Sequence, residues 1–238
     1  SGGKYWKAKQ NLAKATYAGG GLSAADVGGI VTNDRVLSTV SGKVFEADEN
    51  LSAVKNHAPE QPYDPASANL DDKLRKSGSN YYAPAGVINF QGAYAAGTAY
   101  SPNDQIVKDG ASYYQFAVPY AGSGGTPNVP HGSWVRGSDN NYYENTSGGN
   151  LSTDPAINPT GWTDSGQTTL AGLTGTLVTD VTTNLTNPAA GGNPLWNDVT
   201  NDVTNPNSSN AYWTEIAPAT TLGENAFWTE VTADVSAP

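Results

Sequence analysis

Residues 105–116, QIVKDGASYYQF, decide the fold class. Gln105 to Lys108 is a short β-branched run, Asp109-Gly110 is a two-residue turn signal, and Ser112 to Phe116 returns rich in aromatics, so the segment predicts a β-hairpin. Around it, residues 87–137 keep one plan of short aromatic runs set between turn residues. Phe90 and Tyr94 precede Gly97-Thr98 and Tyr100, Pro102-Asn103-Asp104 makes a turn, and after the hairpin a Gly/Pro loop leads to Trp134.

Composition agrees with a mainly β chain built from small units. Only 37% of the 238 residues are hydrophobic, and Gly 27, Pro 15 and 13 Tyr against 4 Phe describe many turns joined by strands with half-wet faces. Cysteine and methionine are absent, so no disulfide or thiolate metal site staples these units and stability must come from repetition or oligomerisation. No run approaches the roughly 20 apolar residues that span a bilayer, so membrane insertion is not expected.

Net charge is −10, and all 12 basic residues lie at or before Arg136, while eleven acids and no base follow it. That rules the C-terminal part out as a nucleic-acid surface. Lys4, Lys7, Lys9 and Lys14 mark an N-terminus that either docks on something acidic or is a solvated basic tail. Residues 1–20 read as a basic, partly helical or extended segment stopped by Gly19-Gly20-Gly21. Ser23 and Asp34 are candidate N-caps for short helices over 22–56, a spacing that fits strands nearly as well. The Pro-, Asp- and Asn-rich stretch from Ala58 to Ala85 reads as a linker or an arm laid on a neighbour.

The order of features over residues 88–137, about a fifth of the chain, resembles the small chitin- and cellulose-binding modules of the family 5/12 type. Such modules occur on secreted chitinases and in bacteriophage tail fibres and other virion appendages. The resemblance implies a β module whose ligand-stacking aromatics match Tyr113 or Tyr114 and Trp134 of this sequence. A sugar ring's C–H face stacks on a flat aromatic while nearby amides satisfy its hydroxyls. Against the platform reading, strand side chains alternate, so one of Tyr113 and Tyr114 must face inward, and Trp134 can equally be the core of so small a fold.

After Arg136 parts of the plan recur. Asn141-Tyr142-Tyr143-Glu144 matches the Tyr strand and Trp162-Thr163-Asp164 the closing Trp; Trp196-Asn197-Asp198, Trp213-Thr214-Glu215 and Trp228-Thr229-Glu230 follow. The octapeptides VTTNLTNP (181–188), VTNDVTNP (199–206) and VTADVSAP (231–238) echo one another, so the tail reads as a repeat array whose units are too small to bury a core alone. The tryptophans there read as structural.

Groups suited to catalysis are sparse. His57 and His131 lack a nucleophile-elbow context. The late acids Asp164, Asp198, Glu215 and Glu230 sit regularly beside Trp, as exposed strand positions or turn caps rather than one hydrolytic pair. Asp139-Asn140-Asn141 and Asn197-Asp198 through Asn201-Asp202 offer oxygen ligands for calcium, or simply make the turns. No cofactor and no metal are expected, and the sequons at Asn50, Asn145, Asn150, Asn184 and Asn207 follow from composition.

The sequence therefore predicts three parts: an attachment region and arm at 1–86, a β module at 87–137, and acidic Trp-bearing repeats at 138–238. Its expected function is that of a non-enzymatic bacteriophage virion surface protein, a fibre, spike or decoration. The expected partners are other virion proteins, through 1–86, and cell-surface polysaccharide. A homo-oligomer, with a trimer as the hypothesis, follows from repeats too thin to fold alone. The alternatives are a secreted carbohydrate-binding accessory protein and a purely structural capsid or tail component.

Overall fold

A computed structural model of the chain describes residues 6–8, 13–61, 63–103, 105–207, 209–217 and 228–230. Lys4, Lys9 and the octapeptide at 231–238 lie outside them. The protein is mainly β. Its outgoing limb runs through β1 (Trp6–Ala8), β2 (Ala15–Tyr17), α1 (Ala24–Gly29), β3 (Arg35–Ser38), β4 (Lys43–Ala47), α2 (Leu70–Lys73), β5 (Arg75–Ser77) and β6 (Asn80–Pro84). It continues through β7 (Asn89–Ala93), β8 (Gln105–Asp109), β9 (Ser112–Phe116), β10 (Tyr120–Ser123), β11 (Trp134–Arg136) and β12 (Tyr142–Asn145). The return limb carries β13 (Trp162–Asp164), β14 (Val178–Asp180), α3 (Thr182–Thr186), β15 (Trp196–Asp198), α4 (Thr200–Thr204), β16 (Trp213–Ala217) and β17 (Trp228–Glu230).

The pairing is nested. Four hairpins leave in order, β3–β4, β5–β6, β8–β9 and β11–β12. The return limb then adds one strand to each in reverse, giving the neighbours β12–β13, β9–β14, β6–β15 and β4–β16. Outermost of all, β1 pairs with β17. Each hairpin also has a partner parallel to its first strand: β2 on β3, an Asn56–Lys76 bridge beside β5, β7 on β8, and β10 on β11. The chain thus contains four copies of one unit, a parallel strand, a hairpin and a return strand.

The local cause lies in the second hairpin strand. β4, β6 and β9 share one burial pattern, half-buried, buried, buried, half-buried, buried, and residues 141–145 repeat it through β12. The paired buried positions hold Val44-Phe45, Tyr81-Tyr82, Tyr113-Tyr114 and Tyr142-Tyr143. Adjacent strand residues point to opposite faces, so burial of both means both faces of each hairpin are covered. Each turn contains one residue in the left-handed region, Gly42, Gly78, Gly110 or Asn140, the conformation that glycine and asparagine reach at least cost.

The return strands arrive with matched chemistry. In LVTDVTTNLTNP (177–188) and LWNDVTNDVTNP (195–206), Asp180 and Asp198 accept the N–H of Thr182 and Thr200 at 2.8 and 2.9 Å. Those threonine hydroxyls accept the N–H of Tyr113 and Tyr81 at 2.8 and 2.9 Å. Val181 and Val199 N–H donate to the carbonyls of the same two tyrosines. The echo seen in the sequence is therefore a strand-helix piece that docks twice on equivalent hairpins.

Two compact units result, one of residues 1–57, 66–83 and 197–238, the other of 58–65 and 84–196. In the first, Val27 and Ile30, Val36 and Phe45, Leu70 and Leu74, Tyr81, Val203 and Trp213 share a core. Trp213, 2% exposed, donates its Nε1–H to the Val203 carbonyl at 3.1 Å. In the second, the rings of Tyr100 and Phe116 stack at 4.7 Å, the rings of Tyr94 and Tyr120 pack against both, and the hydroxyls of Tyr120 and Tyr142 are each bonded to that of Tyr94. Ser23 closes a capping box with Asp26 on α1, as its sequence suggests. Asp34 caps no helix; its carboxylate accepts the Val31 N–H.

These units correct the three-part division. Residues 58–85 are not a loose arm, because Leu70, Leu74, Tyr81 and Tyr82 bury there and β5–β6 is a full hairpin. Residues 87–137 are not a closed module, because β9 takes its outer strand from 178–180 and β11 is completed by β12 and β13. The strands that the thin tail repeats call for come from the same chain, which removes that argument for a trimer.

Candidate functional site

Tyr113, Tyr114 and Trp134, the aromatics matched to a sugar-stacking surface, are 3%, 5% and 8% exposed. None offers a ring face to a ligand, which corrects their assignment as a platform. Tyr114 and Trp134 belong to one core cluster with Val107, Phe116 and Tyr120. Tyr113 lies under charge: its hydroxyl donates to Glu60, and Lys108 Nζ sits 5.3 Å from its ring centre. Trp162, Trp196 and Trp213 are buried as well, in keeping with their structural reading.

Among the described residues no group of three His, Asp or Glu side chains is placed to hold a metal ion. Asp139, one of the calcium candidates, is absorbed by its own turn, accepting the Asn141 N–H at 3.0 Å and the Tyr143 hydroxyl at 2.7 Å. That bond, with burial behind it, pushes the Tyr143 phenol up to about 12. No helix among the described residues is long and apolar enough to cross a membrane.

Among the described residues, the first and the fourth copies each carry an open cleft on the turn side of the repeat. It starts where the two parallel strands make their last pairing, Tyr17 with Ser38 in one copy and Ser123 with Arg136 in the other. In the first copy, Tyr17, Ser38, Val40, Lys43 and Asn207 are among the residues that enclose about 310 Å³, and Lys43 is paired with Glu215 at 2.8 Å. In the fourth copy, Ser123, Gly124, Arg136, Gly137, Asn140 and Asp154 help enclose about 270 Å³.

The fourth cleft is built by close backbone packing. A bulge between Tyr120 and Ser123 turns Ser123 toward Arg136. Gly122, at φ +96°, makes that bulge, and a Cβ there would lie 2.9 Å from the Gly97 carbonyl oxygen. A Cβ on Gly124 would meet the Asp154 carboxylate at 2.8 Å, so that wall stays bare backbone. Arg136 is fixed by its Nε–H bond to the Asn140 carbonyl, 3.2 Å, and by its place over the Tyr142 ring, 5.7 Å from the centre. Asp154 Oδ1 accepts the N–H groups of Ser138 and Ala156 at 3.3 and 3.1 Å. Burial alone would raise the Asp154 pKa, but these bonds and the Ser138 hydroxyl outweigh it and hold the carboxyl below its ordinary range.

Sequence reasoning missed Arg136 and Asp154. Arg136 stood out only as the last base of the chain, and Asp154 was not singled out at all. No local signal joins them, because a strand end and a loop 18 positions later meet only once the fourth hairpin has closed. No protein-family model, curated protein or solved structure matches the chain. The carbohydrate-binding-module likeness at 88–137 therefore rests on its own residues.

Proposed function

We propose that this chain is a non-enzymatic surface protein of a bacteriophage particle, a fibre, spike or decoration, that displays repeated β units toward cell-surface polysaccharide. The observation that carries the reading is the fourfold recurrence of a hairpin joined by a return strand, with a parallel strand beside it in three copies and a single bridge in the second, whose aromatics fill its cores. Repeated units of this kind multiply a surface, which suits building and holding. The order of sequence features over residues 88–137, though not a closed module in the fold, is that of modules found in virion appendages and supports the same reading. Attachment to other virion proteins falls to the folded first unit rather than to a free arm, since residues 13–57 are largely ordered within it.

Two measurements test this. Electrophoresis of the purified chain through gels cast with separate bacterial surface polysaccharides should show retardation by at least one. Gold-labelled antibody against the chain should decorate intact particles. Depolymerisation of a retarding glycan, or label only on free protein, would contradict the proposal.

A further inference from the structure

We propose that the cleft of the fourth repeat, walled by Arg136 and Asp154, holds one uncharged, hydroxyl-rich sugar residue. This rests on the polysaccharide reading and names its contact site, which lies away from Tyr113, Tyr114 and Trp134. Arg136 and Asp154 are opposite charges on one cleft, yet among the described residues neither is ion-paired. Each is anchored by backbone instead: Arg136 by the Asn140 carbonyl, Asp154 by the N–H groups of Ser138 and Ala156. A charged group held in place by its own scaffold has its remaining donors or acceptors set before any ligand arrives.

The two walls define the occupant. Arg136 offers only donors, and an ionised Asp154 only acceptors. An anionic ligand would face Asp154, and the chain's net charge of −10 opposes it further; a cationic one would face Arg136. A hydroxyl accepts from the one and donates to the other, so a neutral polyol satisfies both at once. Ser123 and Asn140 add further polar groups at the rim. At about 270 Å³ the cleft has room for one pyranose residue. The first copy carries a cleft at the equivalent place, with Tyr17 where the fourth has Ser123.

The test is amide-shift titration of the isotope-labelled full chain with glucose, galactose, rhamnose and N-acetylglucosamine, beside glucuronate and inorganic phosphate as charged probes. At least one neutral sugar should shift the amides of Gly124, Gly137 and Ser138 saturably. Arg136→Gln and Asp154→Asn should each weaken that response about tenfold, the loss of a charge-assisted hydrogen bond. Arg136→Lys, which keeps the charge and loses the planar fork, should fall between, and unchanged shifts elsewhere certify that each variant is folded. Response to glucuronate or phosphate alone, or an Arg136→Gln response equal to the parent's, would overturn the proposal. Gel retardation of the parent without shifts at these amides would remove this site and leave the polysaccharide reading standing; no retardation and no shifts would remove both.

Discussion

Glu60 shows how a single residue outside any strand can still bind the fold together. Lys108 Nζ lies 2.7 Å from its carboxylate and the Tyr113 hydroxyl donates to it, and these two bonds, Lys108 first, bring its pKa down to about 2 from 4.5. A carboxyl lowered on folding stabilises above its unfolded value, and that share is lost as pH falls through the folded one. The window is therefore pH 4.5 to 2. The side chain is 44% exposed, so screening keeps the effect small. Urea midpoints across this window should fall more steeply for the parent than for Glu60→Gln; parallel curves would contradict the assignment. The pair Tyr113-Tyr114 was legible as a strand, whereas the fate of its rings was not. Alternation puts one ring on each face, and only tertiary structure shows that Glu60 and Lys108 cover the one face and a core the other.

At the scale of elements, the hairpin at 105–116 was legible because Asp-Gly and paired tyrosines are strong local signals. The hairpins at 35–47 and 75–84 repeat its burial with weaker cues: Val44-Phe45 replaces the tyrosine pair in one, and Pro- and Asp-rich flanks disguise the other. The octapeptide echo was legible too, but its partner was not, since period says nothing about what a repeat packs on. The shared docking chemistry makes a paired prediction. Thr182→Val and Thr200→Val keep side-chain volume and leave the N–H of Tyr113 or Tyr81 without its acceptor, which should cost about 1–2 kcal/mol each. Chemical denaturation measures both, and a neutral result at either position would mean that the two pieces do not dock alike.

For the whole molecule, nesting replaces the serial array that the tryptophan spacing suggested. A serial reading places residues 197–217 in a tail of their own, whereas Val203 and Trp213 complete the core of a unit that also holds residues 22–51. A chain ending at Trp196 should therefore lose the cooperative unfolding of the first unit and retain that of the second. Calorimetry separates the cases, because removal of a serial tail would leave the first unit intact.

The nested order itself is open to direct measurement. Thr214 lies opposite Glu46 across β16 and β4, and antiparallel partners stand about 4.5–5.5 Å apart at Cα, within disulfide reach. The chain has no cysteine of its own, so a Glu46→Cys/Thr214→Cys variant reports on this pair alone. Nested pairing predicts that mild oxidation closes an internal disulfide in nearly every folded monomer. Free thiols, or cross-links formed only between chains, would contradict it.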